Sequence, residues 1–428
     1  MVKEQKDLDR KIKIRLFLVA YSIYVFVFFI IHLPYFHDNT WTKTLLDIAR
    51  VILWGACFII SITISKRKIF QSRAVKFLLA GYCFLILWGL STTFFELSLA
   101  RGWNSYIECS ILALFIHTIY MLVRIIEVYD LKRQVVGITI LILGAVLLYA
   151  FIAYFQDFAL LSALSNMFKS RSYRYGYGLG NVNEAARLYA TFLVYTFVYM
   201  AIPNKNYSMH KIKNSYKVAL IALFSVASIM LISSGSRATV SALILFYLVY
   251  LITRYYARTK IYIKAKQILA LCAVFCAVIL IDWQGLFDYF MGARGVNYEK
   301  SLPFLTSRNL WLVGVGFLNQ TQINEFTGTR GGLMDSGYLY VLLRTGWVGF
   351  AIFFGTLFIF AFSYFRNIRQ MTKLHCLIGG IIAFVLYYSL LEGGMFWGSS
   401  PFTILNWIFI ISCMNEKTHN ASIKHSVA

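Results

Sequence analysis

Trp311-Leu312-Val313-Gly314-Val315-Gly316-Phe317 sits inside Gly285–Ser336, the only long interruption late in an otherwise hydrophobic chain. The interruption also carries Arg294, Arg308 and Arg330, and it closes on Asp335-Ser336 just before the next apolar run. What flanks this stretch decides the fold, so the flanks come next.

Of 428 residues, 59% are hydrophobic and only 14% are charged. A soluble domain has no means of hiding that much apolar surface, so the class is polytopic membrane protein. A net charge of +23 would suggest nucleic acid in a soluble protein. Here the positions of the charges point to anionic lipid and topology, and no nucleic-acid partner is expected. The cysteines at 57, 83, 109, 272, 276, 376 and 413 all lie in or at the ends of apolar runs, so no disulfide framework is implied. The first apolar run is too long for a cleaved signal and reads as a retained helix.

A bilayer core of about 30 Å needs about 20 apolar residues per helix. Twelve segments qualify: 14–33, 46–64, 76–95, 106–126, 135–154, 186–203, 217–234, 238–254, 267–284, 337–364, 374–391 and 399–414. Every second connection is basic. The tail has Lys3, Lys6, Arg10, Lys11 and Lys13, and the next basic connection has Lys66, Arg67, Lys68 and Arg73. The alternation continues through Lys132/Arg133, Lys205/Lys211/Lys213, Arg258/Lys260/Lys264 and Arg366/Arg369/Lys373 to Lys417 and Lys424. These ends are cytoplasmic by the positive-inside rule, with both termini inside. The expected fold is therefore all-α, a single membrane domain over 1–428. Two long connections face outward, about Phe155–Ala185 and Gly285–Ser336, and Leu286–Met291 could lie flat at the interface.

The outward side should be poor in arginine, yet Arg171, Arg174, Arg187, Arg237, Arg294, Arg308, Arg330 and Arg344 fall there. Single arginines can snorkel to headgroups or pair with Glu184, Glu299 or Asp335. As a set they suit a polyanionic ligand, because a guanidinium makes two parallel bonds to a phosphate and keeps its charge. The turn Ser233-Ser234-Gly235-Ser236-Arg237 joins two helices tightly, and the helix start aims N–H groups and Arg237 into one space. Tyr173-Arg174-Tyr175-Gly176-Tyr177-Gly178 offers flat faces suited to sugars, with an aromatic belt as the competing reading. Asn181, Asn183 and Glu184 follow as groups for binding hydroxyls. Asp335, at the mouth of the tenth helix, is either its cap or a base for a sugar hydroxyl. Glu392 is a rival base, with Glu96 and Glu325 behind it. His32 and His37 lack an evident third metal ligand. No phosphate-binding loop with lysine is present, which argues against ATP coupling.

In their order, Ser236-Arg237, Arg308 through Gly314-Val315-Gly316, and Asp335 through Tyr338-Leu339 to Gly346 resemble the O-antigen ligase and polymerase superfamily. Asn181-Val182-Asn183 also fits, and the likeness spans about residues 170–365. The resemblance implies a GT-C-like, inverting, metal-independent glycosyltransferase needing no cofactor and using polyprenyl-pyrophosphate-linked glycans outside the bacterial cytoplasmic membrane. It places Arg237 and Arg308 on the donor's pyrophosphate and Asp335 at the acceptor. Arg171, Arg174, Asn183, Glu184, Arg294, Arg330, Tyr338 and Glu392 are then the candidate substrate-binding residues. The ligases carry a histidine, usually followed by asparagine, where this chain has Asp335-Ser336. That departure favours a surface-polysaccharide polymerase of the Wzy type over a ligase. Chain-length regulator and flippase proteins are the candidate protein partners. The rival from another class is a lipid-linked oligosaccharide flippase, for which paired repeats or broken helices would be expected and neither is evident in the sequence.

Overall fold

In hydrocarbon each backbone N–H and C=O must be satisfied within its own segment, and a helix does this wherever an apolar run is long enough. The computed structural model describes residues 2–33, 36, 40–64, 72–100, 103–154, 175–179, 181–203, 214–259, 293–318, 322–323, 325, 336–366, 368–398 and 400–427. Its helices are α1 (Val2–Ile30), α2 (Thr40–Thr63), α3 (Arg73–Phe94), α4 (Trp103–Tyr129), α5 (Lys132–Ala153) and α6 (Val182–Ala201). They continue as α7 (Asn214–Ser233), α8 (Arg237–Thr259), α9 (Ala293–Ser307), α10 (Gly337–Phe365), α11 (Lys373–Leu391) and α12 (Pro401–Val427). Among the described residues there is no strand. Eight of these helices, α1 to α5, α8, α10 and α11, are long and apolar enough to cross a membrane. The chain is a multi-pass membrane protein.

Each expected span except the ninth overlaps one of these helices. The ninth, 267–284, lies outside the described residues, as do Leu286–Met291, most of Phe155–Ala185 and part of Gly285–Ser336. α9 is a helix within the interruption that the sequence reading did not locate.

The chain forms two compact units. The first comprises residues 1–69, 118–244 and 400–408. Within it α1 packs on α2 and α5, α5 on α6, and α6 on α7. α6 is buried on nearly every side, from Ala185 and Tyr189 to Tyr195 and Val198, as an all-round apolar helix must be. Tyr195 on it donates to Asn406 Oδ1 at 2.7 Å. Basic residues serve the ends of helices as well as topology. Arg124 donates to Ile64 O at 2.7 Å and Arg133 to Ile202 O at 2.9 Å, each a carbonyl just past a helix end.

The second unit comprises residues 70–117, 245–399 and 409–428. Here α10 packs against α3, α11 and α9. α10 is not one straight helix. Gly346 has φ 62° and ψ −171°, a conformation open essentially to glycine alone, and it divides the helix. Above the break, Leu305, Leu310, Val315, Leu318, Leu339 and Leu343 form a small apolar core.

Candidate functional site

In the first unit, two motifs that are far apart in sequence come together. Tyr175 N donates to Ser233 O at 3.3 Å, and the Tyr177 hydroxyl shares a 2.9 Å hydrogen bond with Ser233 Oγ. Ser233 Oγ itself donates back to Ile229 O at 2.9 Å, which leaves Tyr177 as the donor to Ser233. Burial pushes the Tyr177 phenol up to about 12. Tyr189 donates to Gly176 O at 3.0 Å and holds the same segment from α6.

The turn between α7 and α8 is built from hydroxyls. Gly235 adopts φ 59°. Ser236 N donates to Ser234 Oγ at 3.3 Å, and Ser236 Oγ pairs with Thr239 Oγ1 at 2.9 Å. Arg237, the first residue of α8, is half-buried. Asn181 caps α6 by accepting from Asn183 N at 3.0 Å, so the side chain read as a hydroxyl binder closes the helix instead. Glu184 follows in the first turn, with His32 Nδ1 at 3.8 Å and Arg187 Nη2 at 4.0 Å. One end of this unit thus gathers Tyr175, Tyr177, Asn183, Glu184, Arg187, His32 and Arg237.

In the second unit the first turn of α10 meets the turn after α11. Ser336 caps α10, accepting from Leu339 N at 3.3 Å. The cap reading considered for Asp335 therefore belongs to its neighbour, while Asp335 itself lies outside the described residues. Tyr338 stacks on Phe354 at 4.4 Å between ring centroids and sits edge-on to Phe396 at 5.4 Å. Tyr82 secures that turn through a 2.5 Å bond to Phe396 O. Glu392, at the end of α11, is buried and donates its backbone N–H to Tyr388 O at 2.7 Å. The two segments that carry the rival bases are thus neighbours.

No protein-family model matches this chain, and no curated protein sequence does. The reading of the site therefore stands on its own residues.

Arg308 follows α9 and is exposed. After Asn309, at φ 55°, the chain lies along α10 as a strap, Trp311–Leu318. Val315 N donates to Leu343 O at 2.7 Å and Gly316 N to Arg344 O at 3.1 Å. Trp347 N donates to Trp311 O at 2.8 Å, and Val348 N to Leu312 O at 3.3 Å. The strap thus takes four of the backbone groups around the break at Gly346, and Trp88 Nε1 donates to the Thr345 carbonyl at 3.1 Å. Gly314 is required for this approach, since a Cβ there would lie 2.5 Å from Gly346 N. The Gly-Val-Gly pattern is a backbone docking surface.

Arg344 is the main departure from the sequence reading. Its carboxylate partner is neither Glu184 nor Glu299, and Asp335 lies outside the described residues. Arg344 is 2% exposed, with Nη2 2.9 Å from Glu108 Oε2 and also donating to Leu318 O. Its guanidinium lies 4.0 Å from the Tyr340 ring centroid. Glu108 was missed. The available signal was a carboxylate near the start of an apolar span, which needs a partner. Of the other sequence candidates, Arg171, Arg174 and Arg330 lie outside the described residues, and Arg294 falls in α9. His37 is likewise outside them. Glu96 and Glu325 are exposed.

Proposed function

We propose that the protein is a membrane glycosyltransferase that polymerises polyprenyl-pyrophosphate-linked oligosaccharide repeats into a surface polysaccharide. Following the resemblance, Arg237 and Arg308 are each assigned to the donor's pyrophosphate, with which a guanidinium makes paired N–H bonds and whose growing charge it stabilises. A hydroxyl of the incoming repeat attacks the anomeric carbon from the opposite face. The new C–O bond forms as the bond to the pyrophosphate oxygen breaks, and Asp335 takes the hydroxyl proton. The lipid pyrophosphate departs bound to the guanidinium groups.

The observation that carries this reading is the pairing of the Tyr175–Glu184 segment with the Ser233–Arg237 turn through Ser233. Tyr177 is buried, and the pairing sets the half-buried Tyr175 and the hydroxyl-binding candidates Asn183 and Glu184 at the same end of the unit as an arginine at a helix start, the combination a sugar pyrophosphate needs. A ligase would use the same chemistry on a different acceptor.

The test uses purified protein and a lipid-pyrophosphate-linked repeat. Arg237→Lys and Arg308→Lys keep the charge but lose the paired bonds. Both are expected to stay folded and inserted and to lose most polymer formation. Wild-type polymer from both variants would refute the clamp. The reading also needs Gly285–Ser336 outside the cell. A cysteine placed at Asn319 should react with an impermeant label in intact cells, and one at Lys211 should not.

The flippase is the second reading, because the structure contains the broken helix that the sequence did not reveal. In transporters, such breaks leave half-helix ends open to the substrate. Here Trp311, Leu312, Val315 and Gly316 occupy four of the backbone groups around the break, which favours an anchor for the loop over a transport site.

A further inference from the structure

A charged residue in an apolar span is costly, so a buried one calls for a reason. Arg344 joins three segments. Its Nη2 reaches Glu108 of α4 at 2.9 Å and the carbonyl of Leu318 at the end of the strap, while its own carbonyl accepts from Gly316 N at 3.1 Å. Tyr340 and Phe317 lie against the guanidinium, at 4.0 Å and 5.3 Å from their ring centroids. Phe317 is itself completely buried. One side chain thus grips the strap by a carbonyl and a ring, and grips α4 by a carboxylate.

The strap leads back to Arg308 with little slack. Gly314 N donates to Leu310 O at 2.7 Å, and Leu310 N donates to Leu305 O at 2.8 Å. Leu310 belongs to the same apolar core as Val315, Leu318 and Leu343. Asn309, the one residue between Arg308 and that core, sits at φ 55° in a tight turn. A shift of the strap along α10 therefore moves Arg308.

We propose that Glu108 and Arg344 are positioning residues. They lock Trp311–Leu318 onto the broken helix and so fix where Arg308 is presented to an anionic ligand. This rests on the pyrophosphate reading of Arg308 given above. Neither residue touches the substrate. An ordinary buried ion pair would serve folding alone, and removing one partner of such a pair usually destabilises the whole protein. The lock makes a narrower claim, that a mild loosening is felt at Arg308.

Arg344→Lys and Glu108→Gln provide that loosening. Lysine keeps the charge but has no planar fork to serve Glu108 and Leu318 together and no flat face for Tyr340. Glutamine keeps the shape of Glu108 and removes its charge. Two measurements on the full-length protein in lipid nanodiscs test the lock. The first is amide hydrogen exchange of the peptide containing Val315 and Gly316. Exchange is expected to be at least about tenfold faster in either variant than in the parent, while α6 is unchanged.

The second is kcat/KM for transfer from the lipid-pyrophosphate-linked repeat. Arg344→Lys is expected to cost about tenfold or more in the parent, the scale of a small misplacement of a binding group. In an Arg308→Lys background it should cost less than about twofold, because its effect runs through Arg308. The same loss in both backgrounds overturns the lock, as does unchanged strap exchange in both variants when the parent transfers glycan. A folded parent that transfers no glycan overturns the functional reading and with it the role of Arg308, whatever the exchange shows.

Discussion

The turn Ser233–Arg237 and the strap Trp311–Leu318 have similar ingredients: glycine with positive φ, a helix start or break, and an arginine at hand. They use them in opposite ways. Around the turn, serine hydroxyls satisfy one another and the backbone, and Arg237 stands half-buried at the head of α8. At the strap, apolar side chains seal the break, and Arg344 is spent on Glu108, Leu318 and two rings. The arginines that the sequence suggests as one outward set thus differ in burial and partners. Burial and partners separate Arg344, which anchors, from Arg308, which is exposed.

The largest expected effect tests the sealed region. A Cβ at Gly346 would lie 2.3 Å from the carbonyl carbon and oxygen of Leu312, and the residue occupies a glycine-only conformation. Gly346→Ala should cost on the order of 3 kcal/mol or more, from backbone strain and displacement of the strap. Gly235→Ala, at φ 59°, should cost only about 1–2 kcal/mol, the usual penalty for a side chain in the left-handed region. Gly355→Ala, in α10 with open space at its Cβ, should be neutral or slightly stabilising. Thermal unfolding in detergent ranks the three, and equal losses at Gly346 and Gly235 would erase the contrast between the regions.

The next effect is on rate. Because Ser336 caps α10, Asp335 is not needed for that task, and Asp335→Asn should leave thermal stability within about 0.5 kcal/mol. If Asp335 takes the acceptor's proton, the same change should slow transfer about a hundredfold or more, with donor binding retained. Turnover and donor binding measured on one preparation decide it. A near-normal rate would move the base elsewhere, first to Glu392 in the adjoining turn.

The helices were legible in the sequence because lipid leaves the backbone few options, and alternating lysine and arginine mark their ends. The hydroxyl-rich turn was legible because serine and glycine act locally. The break in α10 was not. Gly337–Phe365 reads as one apolar run, and Gly346 looks no different from Gly349 or Gly355 until the strap is in place. Arg344 was noticed, but its partner Glu108 lies 236 residues away, and no local rule connects them. Trp311–Phe317 drew attention for its pattern while the reason for it, docking of backbone on backbone, lay in tertiary structure.

The smallest expected effect probes the serine-rich turn and carries a pH signature. Tyr177 holds its segment to α7 by one hydroxyl bond to Ser233. Tyr177→Phe keeps the ring packing and removes that bond. Ser233 still donates to Ile229 O, so the cost should be about 0.5–1.5 kcal/mol. The phenol's pKa rises from 10.0 to about 12 on burial. The folded state therefore keeps its proton where the unfolded state loses it, so stability is unaffected below pH 10.0 and falls as pH rises from there. Phenylalanine has no such proton. The advantage of the parent over Tyr177→Phe should hold steady through neutral pH and shrink above about pH 10. Other buried tyrosines are common to both proteins and cancel in the difference. Parent and variant are compared by chemical denaturation from pH 8 to 11. A difference that stays constant across that range would show that the Tyr177 hydroxyl reaches water and that this end of the unit is more open than the hydrogen bond implies.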